Sequence, residues 1–198
     1  MICLDIEATG LRQDLHSIVS LGALSLSDPD NRFYMECRIW GGAQIDDEAL
    51  LVNGFTRGEV VDDSKPSEAD LARSFLEWSQ HFSDRTLAGQ NVSFDRDMLK
   101  SAAFRAGLSW DIAHRSIDSH SLCWMHMIKR GIEPPIDQQR RRSALDLDSI
   151  LNYCGIPDEP QPHNALTGAL VHAEVIYRLL YDQPLLPEFV DYPVPWKK

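Results

Sequence analysis

The chain has 198 residues, of which 43% are hydrophobic, and its mean hydropathy is −0.28. This length suits one compact domain, and the composition is typical of a globular protein in water rather than of a disordered or membrane protein. The formal net charge of −11 argues against extended non-specific binding to duplex nucleic acid, which requires many phosphate contacts.

The apolar segments and the cysteines favour a cytoplasmic protein. No stretch approaches the ~20 apolar residues that a membrane span requires, and residues 1–4 are too few for a secretory signal. The cysteines form no Cys-x-x-Cys pair, so we interpret them as reduced thiols rather than disulfides or zinc ligands. We therefore expect a cytoplasmic location and no membrane partner. The four cysteines are Cys3, Cys37, Cys123 and Cys154.

The first 40 residues predict a meander of three antiparallel strands. Residues 2–7 form a short apolar run, and residues 17–27 alternate apolar with small polar side chains. The turn-forming cluster at 28–31 then separates the second strand from a partner strand at 32–40.

Helices alternate with short strands in the rest of the chain. This order predicts an α/β fold, in which a mixed sheet of three antiparallel strands and then short parallel strands has helices on both faces. We expect one domain over residues 1–183 and a proline-rich C-terminal tail over 184–198. The predicted helices span 46–52, 66–82, 93–106, 119–128, 145–153 and 164–181, and the predicted short strands span 86–89 and 116–118.

Residues 131–143 combine glycine and proline with the run Arg140-Arg141-Arg142, and their apolar residues show no period. This composition predicts a mobile surface loop. Two interpretations stay open: a solvated loop, or a flap that contacts phosphates.

Asp5 and Glu7 lie two residues apart on the first predicted strand, so both side chains point to the same face. Two carboxylates at the edge of a core repel each other and lose hydration, unless a cation lies between them. Oxygen ligands favour Mg²⁺ or Mn²⁺ over zinc. The alternative for this pair is a solvent-exposed strand face.

Further candidate residues follow along the chain. The segment Ala8-Thr9-Gly10 ends the first strand with small residues whose amides could approach a ligand. Asp95 lies at the start of a helix, where it could be a ligand or only a favourable charge for the helix dipole. His163 precedes the last helix, as a general base or as a surface residue.

The three segments together are more specific than any one of them. Asp-x-Glu-x-Thr-Gly at residues 5–10, Asn-x-x-Phe-Asp at 91–95 and His-Asn-Ala-Leu-Thr at 163–167 resemble the three motifs of the DEDDh family of 3′–5′ exonucleases. The resemblance extends in order and spacing over residues 2–181.

This resemblance implies a ribonuclease H-like fold and a site for two Mg²⁺ or Mn²⁺ ions. Asp5 would bridge both ions, Glu7 would bind the ion that activates water, and Asp95 would complete the carboxylate cluster. His163 would be the general base. The implied reaction is two-metal hydrolysis, which releases nucleoside monophosphates from single-stranded DNA or RNA 3′ ends.

The resemblance also implies a pocket for the terminal 3′ nucleotide. Leu11 would lie against the base, and the backbone near Thr9 and Gly10 would meet the nucleotide. A polymerase or another nuclease is a candidate protein partner. The implied substrate-binding residues are Ala8, Thr9, Gly10, Leu11, Asn91 and Phe94.

The sequence departs from the family at its last motif, where an aspartate is expected and Gly168 stands instead. Glycine leaves room, so a water or another side chain could fill the place. His172 lies one turn further on and could reach back, whereas Glu174 would need a distorted helix. The alternative function is a weakened exonuclease-fold module that binds 3′ ends or docks on a partner.

Overall fold

The structure is a computed structural model that describes residues 1–197, and its centre is a five-stranded mixed sheet in the order β3-β2-β1-β4-β5. β1 pairs antiparallel with β2, and β2 antiparallel with β3, whereas β1–β4 and β4–β5 are parallel. The predicted α/β class with a mixed sheet is confirmed. The strands are β1 (Ile2–Ala8), β2 (Ile18–Ser25), β3 (Asp28–Glu36), β4 (Leu87–Gly89) and β5 (Ser116–Asp118).

The predicted turn at 28–31 is wrong. The chain reverses at Leu26 and Ser27, so that Ser25 pairs with Asp28 and β3 begins at once. Pro29 is tolerated there because β3 is an edge strand, where a missing N–H need not break the ladder. β3 also ends earlier than predicted, at Glu36.

Helices cover both faces of the sheet, as predicted. The sequence patterns missed α2 and the short hairpin inside the predicted loop at 131–143, which consists of β6 (Ile136–Asp137) and β7 (Arg142–Ser143). The helices are α1 (Asp47–Asn53), α2 (Arg57–Val60), α3 (Glu68–Ser79), α4 (Val92–Arg105), α5 (Ser119–Lys129), α6 (Leu147–Cys154) and α7 (Ala165–Tyr181), followed by a 3-10 helix at Pro187–Phe189.

Alternation along β1 assigns its side chains to two different cores. Ile2, Leu4 and Ile6 belong to the core that α3 and α4 cover. Cys3 belongs to the second core, which includes residues of α5, α6 and α7. Because strand side chains alternate, Asp5 and Glu7 lie on the α7 side of β1.

The end of α7 and the C-terminal segment are tied together by a buried ion pair. Arg178 donates to Glu174 and to the carbonyl of Phe189. Glu174 also accepts from the amides of Leu185 and Leu186. The ring of Trp196 stacks on Tyr153 at a centroid distance of 5.2 Å, so residues 184–197 pack against the second core.

Two further predictions concern the whole chain. All four cysteines are free and buried, as expected for reduced thiols. No helix within residues 1–197 is both long enough and apolar enough to cross a membrane.

Candidate active site

Three predicted acidic residues meet where β1 approaches α4. Glu7 and Asp95 are buried, and Asp95 is only 4% exposed. Oδ1 of Asp95 accepts a hydrogen bond of 3.1 Å from the backbone amide of Ile6, the residue between Asp5 and Glu7. This bond joins the first turn of α4 to the strand that carries the other two carboxylates.

Burial makes these carboxylates hard to ionise. It raises the pKa of Asp5 to about 7, against the lowering effects of nearby His163 and of the Ile6 amide. It also raises the pKa of Glu7 to about 8, and the charges of Asp5 and Glu159 add to this rise. The pKa of Asp95 is raised well above its ordinary value by burial and by Asp5. The protein alone therefore disfavours the charged form of these acids, and a nearby cation would favour it.

His163 lies on the same side, in the segment that leads into α7. Its backbone amide donates to the carbonyl of Val52 on α1, at 3.2 Å. Its side chain is 33% exposed, and Nδ1 lies 3.9 Å from Oε2 of Glu159. The side chain of Asn164 caps α7 by accepting hydrogen bonds from the amides of Leu166 and Thr167. This cap fixes the start of the helix and therefore the position of His163, which directly precedes the cap.

A pocket of about 190 Å³ opens beside Glu7. Its predicted lining residues include Leu11, which is 81% exposed, and Phe94 at the start of α4. The sequence patterns missed the contribution of α1, whose Asn53 donates a 3.1 Å hydrogen bond to the carbonyl of Ala8. The pocket residues are Ile6, Glu7, Ala8, Gly10, Leu11, Ala49, Val52, Asn53 and Phe94.

Thr9 and Asn91 lie outside this pocket. The Thr9 hydroxyl donates to the carbonyl of Gln44 and accepts from the amide of Ser17, so the side chain secures the strand end inside the protein. Asn91 instead lines a larger groove of about 590 Å³, together with Arg140 and Arg142 of the 131–143 segment.

Comparison with known proteins decides the family. The RNase_T family model, described as Exonuclease, matches residues 2–176. The chain belongs to the RNase_T exonuclease family. This assignment confirms the resemblance to DEDDh exonucleases that the motifs indicated, and it makes the chain a nuclease of that family. No curated protein matches this exonuclease significantly in sequence.

Solved structures of exonuclease I share the fold of this exonuclease. E. coli exonuclease I in complex with a dA16 oligonucleotide matches with a TM-score of 0.69 and 17% identity, over 96% of this chain and 42% of that chain. The zinc ion bound form of an E. coli exonuclease I–ssDNA complex gives 0.68 and 15%, over 92% and 41%. Exonuclease I from Methylocaldum szegediense gives 0.67 and 19%, over 92% and 40%. These matches confirm the ribonuclease H-like fold. The chain spans about 42% of the length of the first of these proteins.

Gly168 is the position where this chain departs from the family motif. Another side chain fills the space beside this glycine, which is one of the alternatives that the sequence left open: the carboxyl group of Asp5 lies there. A Cβ built on Gly168 would lie 2.8 Å from Cγ of Asp5 and would overlap its Oδ2. Because position 168 has no side chain, α7 lies against the Asp5 carboxyl group without displacing it.

The two residues considered as substitutes have other contacts. Nδ1 of His172 lies 3.3 Å from the carbonyl of Leu4, and burial lowers the pKa of this histidine. Glu174 is fully buried in its ion pair with Arg178, at 2.6 Å. Neither side chain takes the place of the absent aspartate.

Glu159 is an acidic residue of the site that the sequence patterns missed. It lies four residues before His163, and its side chain is only 6% exposed. Burial raises the pKa of Glu159, and Asp5 is the next largest cause of the rise. The segment from Pro157 to His163 contains two adjacent acids, Asp158 and Glu159, close to the predicted general base. The segment has no periodic pattern, so the sequence does not indicate which of the two acids is buried.

The chemistry of this donor set fits a divalent cation, which exonucleases of this family generally use. Asp5, Glu7, Asp95 and Glu159 offer only carboxylate oxygens, the ligands that Mg²⁺ and Mn²⁺ prefer. Within residues 1–197 no three acidic, histidine or cysteine side chains already surround one point closely enough to hold a metal.

Proposed function

We propose that this chain is a metal-dependent 3′–5′ exonuclease that releases nucleoside monophosphates from single-stranded DNA or RNA 3′ ends. The observation that carries the proposal is the meeting of Asp5, Glu7 and Asp95 near His163, beside a pocket that Leu11 and Phe94 line. Membership of the exonuclease family supports it, as does the similarity in fold to an exonuclease I solved with an oligonucleotide.

Asp5, Glu7 and Asp95 are the proposed metal ligands. Two Mg²⁺ or Mn²⁺ ions would lower the pKa of the attacking water and stabilise charge on the phosphate oxygens and the leaving 3′ oxygen. The protein's part is to hold buried oxygens whose raised pKa values reflect a place suited to a cation.

His163 is the proposed general base. Its Nδ1 lies 3.9 Å from Oε2 of Glu159, so in this proposal Nε2 is the atom that takes the proton. Water would attack the terminal phosphorus while His163 takes its proton, and the bond from phosphorus to the 3′ oxygen of the preceding nucleotide would break. The partial exposure of the imidazole allows it to return the proton to solvent after each cycle.

The pocket and the groove would bind different parts of the strand. The pocket beside Glu7 is largely apolar, and Leu11 and Phe94 can contact the face of a terminal base of any identity. The groove with Asn91, Arg140 and Arg142 would take the phosphates of preceding nucleotides. This assignment favours a phosphate-contacting role for the basic segment, despite the acidic net charge of the chain.

A strand-polarity assay tests the proposal. Single-stranded DNA and RNA of one sequence would be labelled at the 5′ end and incubated with the protein and Mg²⁺ or Mn²⁺. A ladder that shortens stepwise from the 3′ end supports the proposal, and blocking that end should stop it. Asp148→Asn is the matched control for Asp5→Asn, because it removes one carboxylate from the exposed start of α6.

A module that binds 3′ ends without cutting them is the second candidate. It is favoured by Gly168, which stands where the family has an aspartate, and by the lack of a ready three-ligand group among residues 1–197. Tight binding of an oligonucleotide with no release of mononucleotides in either metal would support this candidate and exclude the first.

A further inference from the structure

Glu159 is an unusual buried acid. Its side chain is 94% buried, and its Oε1 has no hydrogen-bond partner anywhere in the described chain. Burying a carboxylate oxygen without a partner is costly, and proteins retain such groups mainly where a ligand completes them. Its ion-pair partner within residues 1–197 is the partly exposed His163, at 3.9 Å, and the charge of the buried His172 also acts on it.

The loop between α6 and α7 carries Glu159 into the region of the proposed metal ligands. Three prolines, at 157, 160 and 162, restrict the backbone on either side of Glu159. His163 at the end of the loop is anchored to Val52 through its amide. The charge of Asp5 acts on Glu159, and the charge of Glu159 acts on Glu7, so the three acids share one region.

The helix position that the family uses carries no ligand atom here, because residue 168 is glycine. Even a methyl group at Gly168 would press on the carboxyl group of Asp5. Glu174 is held by Arg178, and Nδ1 of His172 lies against the carbonyl of Leu4. Glu159 is thus the remaining acid of this region that is buried beside His163 and has a carboxylate oxygen without a hydrogen-bond partner among the described residues.

We propose that Glu159 is the fourth carboxylate of the metal centre, supplied by the α6–α7 loop instead of by α7. The inference rests on the proposed function, which makes this region a metal centre. Oε1 of Glu159 would be a ligand oxygen for the divalent cation that Glu7 also binds, near His163. The loop carboxylate then compensates for Gly168, and the site keeps four acidic ligands.

Direct Mn²⁺ binding tests this assignment without relying on catalysis. Free Mn²⁺ would be counted by electron paramagnetic resonance during titration of the wild-type chain and of Glu159→Gln. We expect two bound ions in the wild type and at least ~10-fold weaker binding of one of them in the variant. Glu159→Asp, which keeps the charge on a shorter side chain, should bind with intermediate affinity.

Asp158→Asn is the matched control, because it removes a carboxylate from the neighbouring, exposed position of the same loop. It should bind Mn²⁺ as the wild type does. Thermal unfolding of each variant without metal checks folding. Glu159→Gln should be no less stable than the wild type, since it removes an uncompensated buried charge.

The outcomes separate this inference from the proposed function. Equal Mn²⁺ affinities for the wild type and Glu159→Gln would overturn the inference, even if the chain is an active exonuclease. The inference would also be overturned if Glu159→Gln lowered the rate of nucleotide release without changing Mn²⁺ affinity, because Glu159 would then act by positioning His163. A wild type that binds no Mn²⁺ also overturns it. Loss of one ion in Glu159→Gln supports the inference even if the wild type releases no nucleotide, a result that would contradict the proposed function alone.

Discussion

Gly168 on α7 lies directly against Asp5 on β1: a Cβ built on the glycine would be 2.8 Å from the carboxyl carbon of the aspartate. The contact reverses the meaning of the departure from the family motif. Glycine does not leave an empty ligand position; it allows α7 to approach the strand that carries the proposed metal ligands.

Gly168→Ala should therefore impair the site although alanine is the better helix former by about 1 kcal/mol. We expect the added methyl group to displace the Asp5 carboxylate, weaken Mn²⁺ binding at least ~10-fold and lower nucleotide release in parallel. Titration and activity assays would measure both effects. Gly41→Ala is the matched control, because a Cβ there meets no atom within 4 Å; an unaffected Gly168→Ala would contradict the importance of the contact.

Stability without metal should fall as pH rises from about 4 to about 8. The folded state holds protons on Asp5 and Glu7 up to pKa values of about 7 and about 8, whereas the unfolded chain releases them near 3.8 and 4.5. The folded state thus binds more protons in this window, so raising the pH favours unfolding. We expect the free energy of unfolding to fall by at least about 1.4 kcal/mol, the value of one pKa unit.

Denaturant unfolding in a chelator at the two ends of this window measures the effect. His172 and His126, whose pKa values are lowered, bind fewer protons in the folded than in the unfolded chain and therefore act in the opposite direction in this window. Comparison with Asp5→Asn isolates the effect of the buried carboxylate. Excess Mg²⁺ or Mn²⁺ should restore stability at the alkaline end, and Asp5→Asn should flatten the pH dependence. A pH dependence that is as steep in Asp5→Asn as in the wild type would contradict the buried-carboxylate description.

Leu11→Ala should weaken binding of the terminal nucleotide without destabilising the fold. Leu11 lines the pocket yet is 81% exposed, so it contributes little to the core. We expect KM for an oligonucleotide to rise by about tenfold with kcat almost unchanged. Leu51→Ala is the matched control, since Leu51 is 84% exposed and lies outside this pocket; similar effects in both variants would remove Leu11 from the proposed site.

Arg142→Ala should weaken single-strand binding in a salt-dependent manner. Arg142 lines the groove beside Asn91, and loss of one phosphate contact should reduce the slope of log Kd against log salt by about 0.7. Arg141→Asn removes the same charge from a neighbour outside the groove, and asparagine tolerates its positive φ of 53°. Fluorescence anisotropy in a chelator would compare them; equal slopes would favour the solvated-loop interpretation.

Much of the site follows from local patterns in the sequence. Alternation along residues 2–7 placed Asp5 and Glu7 on one face, and the helix start after a short strand placed Asp95. Both features are determined by residues that are close together in the chain, so they can be predicted from the sequence. The early turn at Leu26 and Ser27 was missed because the Asp-Pro-Asp-Asn cluster has stronger turn propensity than the two residues that reverse the chain.

Other features depend on how distant elements pack and could not be predicted from such patterns. Contact between Gly168 and Asp5 is set by the approach of α7 to β1, which no single segment specifies. The inward turn of Glu159 depends on the path of an irregular loop. Asn53 enters the site because α1 ends near Ala8, 45 residues away along the chain.

Release of nucleoside monophosphates from a single-stranded 3′ end tests the central claim most directly. Wild-type chain, Asp5→Asn and Asp148→Asn would be compared in Mn²⁺ and in excess chelator, with products identified by chromatography. We predict stepwise release by the wild type and Asp148→Asn only with metal, and a loss of at least ~100-fold in Asp5→Asn. Release that persists in chelator or in Asp5→Asn, or no release by the wild type in either Mn²⁺ or Mg²⁺, would contradict the account.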